Sequence, residues 1–399
     1  MIAIVEERAY NCGMSSRQVS PDLRVPEFPF SSPLASHAMA LERMRGDLPR
    51  TVGNLPVVVE LGELYRLMSS IISARIEGNH TTVVEAVESA RLRETKPRRD
   101  FNEGVQEILR LQDAADFIDT HIDVGTRITH SVVRELHRIA TQGLRREGDP
   151  TPGEYRQVEV VIAHSDHVPP LAATVHSQMY DLLDFTNQQA EPHLQLIRMA
   201  IAHHRFVWIH PFTNGNGRVA RLFSNAMMRS CGFAPSVEYQ TVNPTTVFGA
   251  DRQGYYDHLA AADSLTDSGL VSWAEFVLSG LRRDMEMIHD LTRKGVLERL
   301  VQASIAQARR AAQLTEDEAD ALTAVAHGNA FRAGDLVSAV GGSPTQRSLI
   351  IRGLLQRDLI RRLKDGGRVY RIRLSPNDLT PFVIGGLGRA GLLPSIMSD

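Results

Sequence analysis

Twelve residues constrain this chain more than anything else in it: His210-Pro211-Phe212-Thr213-Asn214-Gly215-Asn216-Gly217-Arg218-Val219-Ala220-Arg221. An apolar stretch from Leu194 to Ile209 reads as a helix before the segment. Val219, Leu222, Phe223, Ala226 and Met227 mark the buried face of a helix after it, closed by Gly232. Gly215 and Gly217 therefore fall in a turn that opens a helix. The free N–H groups and positive dipole end of such a helix attract anions, and glycine lets the backbone come close to a phosphate. Arg218 and Arg221, three apart, share a face of its first turn, and two guanidinium forks suit a polyphosphate. His210, just before the turn, is of the type that accepts a proton near neutral pH.

Around this segment the pattern is mainly helical. Val59, Leu61, Leu64, Leu67 and Ile71 recur at helical spacing, and Gly78-Asn79 reads as the stop of that helix. Residues 1 to about 55, with their Ser-Pro and Pro-Phe-Pro segments, read as an extended arm. From Phe101 to Leu281 helices continue, except at 157–169, where two extended pieces around a turn read as a β-hairpin. The expected domains are an arm and helix at 1–100, a helical domain at 101–281 and a connecting helix at 282–313. A small domain at 314–375 and a tail at 376–399 follow.

Composition adds exclusions. No run of about 18 apolar residues exists, so no membrane span is expected. Cys12 and Cys231 make neither a disulfide framework nor a zinc site. The opening Met-Ile-Ala-Ile-Val-Glu-Glu-Arg lacks the pattern of a signal peptide, so a cytoplasmic setting is the expectation.

The twelve-residue segment resembles the motif of the Fic family, His-Pro-Phe-x-(Asp/Glu)-Gly-Asn-Gly-Arg-x-x-Arg, at every fixed position but one. The resemblance spans roughly residues 60 to 281. It takes in Ala202-His203 and Phe206, Thr151-Pro152-Gly153-Glu154-Tyr155-Arg156, and Tyr255-Tyr256. It implies a Fic helical bundle with a hairpin flap at 157–169, which aligns a target segment by strand addition. It also implies a protein adenylyltransferase, moving AMP from ATP to a Tyr, Thr or Ser hydroxyl of a target protein. His210 would be the general base, and Phe212 would pack in the core. Gly215, Asn216 and Gly217 would hold the α- and β-phosphates, Arg218 the β-phosphate and Arg221 the γ-phosphate. Tyr255 and Asp251 fall where the family contacts the nucleoside. The departure is Asn214, in place of the acid that binds Mg²⁺ or Mn²⁺ on the phosphates; an amide oxygen is a weaker ligand for a hard cation.

Ser73-Ala74-Arg75-Ile76-Glu77-Gly78 resembles the family's inhibitory pattern, (Ser/Thr)-x-x-x-Glu-(Gly/Asn). The resemblance implies that Glu77 competes with the γ-phosphate for Arg221. A related Doc-type phosphotransferase would carry Lys at the position of Gly217, which argues against phosphotransfer.

The C-terminal part has another texture. Thr315, Ala333 and Ser343-Pro344 start three helices, and Leu359–Leu363 and Val369–Leu374 flank the turn signal Lys364-Asp365-Gly366-Gly367-Arg368. Three helices and a two-stranded wing read as a winged helix-turn-helix. From Ser343 to Leu374 nine basic residues face two acidic ones, on a chain of net charge -3. The module reads equally as a DNA contact or as a protein-docking or dimerising unit. The alternative function is therefore a transcription regulator that senses nucleotide, and a homodimer is one expectation for its assembly.

Overall fold

In the computed structural model the described residues are 23–52, 56–163, 165–234, 242–292, 295–327 and 330–397. The molecule is mainly α-helical. Its first helices are α1 (Pro33–Val52), α2 (Pro56–Ile76), α3 (Val83–Leu92), α4 (Glu103–His121) and α5 (His130–Thr141). After the segment 157–169 come α6 (Val175–Asn187), α7 (Pro192–Ile209), α8 (Asn216–Ser230), α9 (Pro244–Ala250), α10 (Arg252–Ala262) and α11 (Asp267–Thr292). The C-terminal part holds α12 (Val296–Arg310), α13 (Glu316–Ala324), α14 (Val337–Val340) and α15 (Pro344–Gln356). It ends with β1 (Ile360–Arg362), β2 (Tyr370–Ile372) and α16 (Thr380–Arg389).

The centre of the bundle is α7, buried at every residue from Leu196 to Ile209 except Val207, and packed against α1, α6, α8 and α11. Its apolar residues fill the inside of the bundle, and its buried His203 and His204 are hydrogen-bonded there. Its partner α8 buries Val219, Phe223, Ala226 and Met227 on it. Around this pair α5 and α4 pack on α8, and α2 packs on α4, α8 and α9. The junction of α7 and α8 is thus roofed by helices from the N-terminal third. One core cluster runs from Leu34 to Met397.

Four expectations are corrected. The extended arm contains α1, whose Leu34, Ala38 and Leu41 are buried. Ser32 Oγ accepts the N–H of Ala35 and Pro33 opens the helix, so this Ser-Pro is a helix start. The connecting helix is two helices, α11 and α12, the second entered from Gly295 in a left-handed turn at φ 72°. The segment 157–169 is extended, but its described residues form no strand. Instead Arg156 donates to Val158 O at 3.1 Å and to Pro170 O at 2.6 Å, so one buried guanidinium ties the two arms together. The tail at 376–399 contains α16, packed on α12 and α3.

The C-terminal elements follow the expected order. Ser343 caps α15 in a reciprocal box with Gln346, and the strands pair with Arg361 opposite Arg371. Among the described residues no helix is long and apolar enough to cross a membrane. Cys231 is a free thiol whose pKa burial pushes up to about 11, whereas Cys12 lies outside the described residues.

Candidate functional site

The loop between α7 and α8 is shaped from within. His210 ends α7 in the left-handed region, at φ 51° and ψ 61°, and Gly215 opens α8 at φ 75°. Asn216 braces the loop: its Oδ1 accepts the N–H of Phe212 and its Nδ2 donates to Phe212 O, both at 2.9 Å. The side chain of Asn216 is thereby used inside the loop, and only its backbone faces outward as part of the helix start. The first backbone bond of α8 runs from Val219 N to Gly215 O at 3.0 Å. The N–H groups of 216 to 218 precede it and are those a helix leaves open.

His210 is buried, and burial lowers its pKa to about 4, so the ring is neutral at pH 7. Its Nδ1 lies 3.3 Å from Val207 O, an atom that can only accept. In the neutral ring Nδ1 therefore carries the proton and Nε2 holds the lone pair. Behind it, Arg156 Nε donates to His210 O at 2.8 Å, and Arg156 N donates to Pro211 O at 2.9 Å. Sequence reasoning quoted Arg156 without a role. The structure makes it the clip that holds the His210 backbone and both arms of 157–169. His137 adds a second prop: its ring stacks on Phe212 at 3.7 Å, its Nδ1 accepts from Gly153 N–H, and its Nε2 donates to Asn214 O.

Arg218 and Arg221, at the start of α8, are paired with carboxylates from distant parts of the chain. Arg221 donates from Nε to Ser73 Oγ at 2.8 Å, and from Nη2 to Ser73 O at 2.9 Å and Glu77 Oε1 at 2.8 Å. The position of Glu77 follows from Gly78, which leaves the end of α2 at φ 95°, a conformation that favours glycine. Glu77 then lies over the start of α8, so that a Cβ on Gly217 would collide with Glu77 Oε1. Burial works to raise the pKa of Glu77, but Arg221, with Arg218 and Arg252, outweighs it and holds the carboxyl below its usual range. Arg218 donates from Nη1 to Glu107 Oε1 at 3.0 Å and from Nη2 to Glu147 O at 2.7 Å. The other oxygen of Glu107 accepts from Asn79 Nδ2 at 2.8 Å, linking it to the chain just after Glu77. Nothing in the local pattern pointed to Glu107 or Asn79; a lone glutamate inside an amphipathic helix carries no such signal.

Three expected site residues have partners inside the chain. Asn214 points into its own loop: Nδ2 donates to Arg146 O at 3.3 Å and Gly148 O at 3.0 Å, and Oδ1 accepts from Gly215 N–H at 2.7 Å. The loop offers a divalent cation one amide oxygen, which already accepts from Gly215 N–H and is a weaker ligand than a carboxylate. The acid of this loop is Asp149, whose Oδ2 accepts from Asn214 N and Thr213 Oγ1. Tyr255 is buried against Phe248 and Trp273 with its hydroxyl 3.1 Å from His203 Nε2. It lies on the buried stripe of α10 with Leu259 and Ala262. Its neighbour Tyr256 is the one beside the end of α2, within 3.5 Å of Ile76 O, and Arg252 Nε donates to the same oxygen at 2.8 Å. Asp251 caps α10, accepting from Gly254 N–H at 2.8 Å.

Residues 127–228 match the family model described as Fic/DOC family. The chain is 32% identical over 216 residues to a protein adenylyltransferase Fic of Nematostella vectensis, covering 53% of this chain and 46% of that protein. It is 31% identical over 169 residues to protein adenylyltransferase fic-1 of Caenorhabditis elegans, covering 41% of this chain and 31% of that one. The chain thus spans less than half the length of these curated relatives. Among solved structures, a Fic family protein from Desulfovibrio desulfuricans G20 aligns with TM-score 0.53 at 22% identity, over 87% of this chain and 98% of that one. A Fic domain-containing signaling protein from Bacteroides thetaiotaomicron aligns with TM-score 0.51 at 20% identity, over 66% and 98%. The two structures support the fold, and the family-model match takes in the loop just described. At residues 127–228 the chain thus carries a segment that matches the Fic/DOC family.

Proposed function

We propose that this chain is a protein adenylyltransferase that moves AMP from ATP to a Tyr, Thr or Ser hydroxyl of a target protein and is held back by Glu77. The observation that carries the reading is the Glu77 carboxylate over the first turn of α8, paired with Arg221 at 2.8 Å. A carboxylate stands there where the helix start and two guanidinium groups suit a phosphate. In the transfer, His210 Nε2 takes the proton of the target hydroxyl. The hydroxyl oxygen bonds to the α-phosphorus, the bond from that phosphorus to the β-bridging oxygen breaks, and pyrophosphate leaves. Gly215, Gly217 and the open N–H groups of α8 bind the phosphates, Arg218 and Arg221 bind the outer ones, and Ser73 keeps Arg221 in place. The exposed Val158, Val161 and Val168 lie on the extended arm held by Arg156, where a target segment adds as a strand. The reading takes the cytoplasm as its setting.

The test is labelling by α-labelled ATP in Mg²⁺ or Mn²⁺ buffer. The wild type should be nearly silent, Glu77→Gly active, and His210→Ala in that background silent while still binding ATP. Equal labelling by wild type and Glu77→Gly removes the inhibitory role of Glu77; no transfer by either removes the enzyme. The regulator reading keeps one supporting observation: Arg352, Lys364 and Arg368 are exposed on α15 and the hairpin. Gel shifts of the full chain on random duplex DNA over a salt series test that contact. Three such contacts correspond to a slope of about 3 in log affinity against log salt.

A further inference from the structure

Four of the nine basic residues that suggested nucleic acid are spent on carboxylates inside the molecule. Arg361 Nη2 lies 2.6 Å from Glu60 Oε1, and Arg361 Nη1 lies 2.9 Å from Glu63 Oε1. Arg371 Nε lies 2.9 Å from the same oxygen of Glu60. Arg357 pairs with Glu318 and Asp378, and Arg373 with Asp358. Arg361 and Arg371 are directly opposite each other across β1 and β2. Like charges facing across two strands repel. Glu60, with 0% of its side chain exposed, places its carboxylate between them. Each side of this contact needs the other: the hairpin needs an anion between its arginines, and a buried carboxylate needs a cation.

Glu60 and Glu63 belong to α2, the helix that ends at Ser73 and Glu77. The C-terminal segment holds the other end of the same helix. Arg75 Nη1 donates to Ile396 O at 2.8 Å, Tyr65 OH donates to Leu392 O at 3.5 Å, and Ile396 packs by Gly249 beside Ile72. That segment is itself anchored through α16 on α12 and α3. So α2 is held near its start by the hairpin and from Tyr65 to Arg75 by the C-terminal segment. It is an uninterrupted helix, and Glu60 and Glu77 stand about 25 Å apart along it, at about 1.5 Å per residue.

Accepting the brake reading of Glu77, we propose that the C-terminal unit is the clamp of that brake. The β1–β2 hairpin and the segment 391–397 seat α2 on the bundle, and loosening their grip frees Glu77 from Arg221. The charged cluster is then an internal latch between the two ends of the chain, and whatever displaces the hairpin from Glu60 raises transfer.

The experiment uses the full chain with Arg361→Ala plus Arg371→Ala, and Glu63→Gln as a milder variant that strands no buried charge. None of these residues belongs to the nucleotide site. Two readouts are taken: hydrogen exchange of amides 66–77, and labelling by α-labelled ATP beside Glu77→Gly. The clamp requires faster exchange across 66–77 and labelling raised at least about fivefold, the lower end of ordinary coupling between sites. It also requires no further rise when the arginine changes are added to Glu77→Gly. Unchanged exchange at 66–77 overturns the clamp whatever the activity. Faster exchange with labelling left at the wild-type level, while Glu77→Gly is active, overturns its connection to the brake. If Glu77→Gly is itself silent, the transferase reading fails, and exchange still decides whether the hairpin holds α2. If the double variant does not fold, Glu63→Gln carries both readouts.

Discussion

Arg218 and Arg221 lie three residues apart on one helix, and each meets a glutamate from the N-terminal third, yet the two pairs differ in kind. The Arg218–Glu107 pair is closed, with 1% and 2% of the side chains exposed, and Glu107 sits in the middle of α4. In the Arg221–Glu77 pair the arginine is equally buried, but 30% of the glutamate is exposed, and it stands past the end of α2 beside a glycine. A carboxylate inside a helix cannot leave without taking the helix along. One on a glycine hinge can swing out by a change of a few dihedral angles. The first pair is built to hold its arginine still, and the second to be released.

The largest expected effect separates the two. Glu107→Ala takes from Arg218 its buried carboxylate and leaves only that of Glu147, at 3.6 Å and 35% exposed, and should cost about 3–5 kcal/mol of stability. Glu77→Ala takes from the buried Arg221 a carboxylate that water still reaches and should cost less, about 1–3 kcal/mol. Thermal unfolding of the two variants side by side checks this. A drop for Glu77→Ala as deep as that for Glu107→Ala would end the distinction between a fixed and a releasable pair.

Asn214→Asp comes next. It removes the two N–H donors that now satisfy Arg146 O and Gly148 O and sets a carboxylate against both. It should cost about 1–3 kcal/mol. Restoring the acid of the family motif then loosens the loop instead of improving it. A variant as stable as the wild type, with a lower Mg²⁺ requirement in the Glu77→Gly background, would show that position 214 serves a cation after all.

Ser73→Ala is smaller. Arg221 Nε loses its partner while Glu77 and Ser73 O remain. A loss of about 1 kcal/mol, roughly a fivefold shift, should give labelling above the wild type and well below Glu77→Gly. Labelling equal to that of Glu77→Gly would make Ser73, rather than the carboxylate, the restraint.

The last expectation is a flat line. With its pKa near 4, His210 stays neutral from pH 6 to 8, and transfer by Glu77→Gly should show no inflection there from this residue. The sign for stability follows from the same burial. Above pH 6.5 His210 is neutral in both folded and unfolded chains and contributes nothing. As pH falls from 6.5 toward 4 only the unfolded chain takes up the proton, so stability declines. The carboxyl of Glu77 is shifted the other way. Its pair with Arg221 is intact above the ordinary glutamate range and is lost only as pH falls through the lowered value. A pH profile of Glu77→Gly with an inflection near 6.5 would mean that His210 is not held neutral.

How far the sequence could be read depends on how local each signal was. Ser343-Pro344 and Ser32-Pro33 are the same helix-start signal. The first reads as a start because three helical segments and a hairpin surround it. The second reads as part of an extended arm because prolines crowd its neighbourhood. The reversal at 157–169 was legible as extended chain, but its tie is a side chain, Arg156, rather than a ladder. Tyr255 and Tyr256 could not be told apart without the phase of α10, which turns the first inward and leaves the second beside α2.

By itself the sequence determined the loop from His210 to Arg221, the stop of α2 at Gly78 and the hairpin at 360–372. Each of these is made by residues within a dozen positions, where glycine conformations, caps and periodicity act directly. Only the tertiary structure decided which carboxylate reaches which guanidinium. Glu77 meets Arg221 across 144 residues, Glu107 meets Arg218 across 111, and Glu63 meets Arg361 across 298. A surface charge and a latch look alike in a string of letters, because what distinguishes them is the water removed when two distant helices close over the pair.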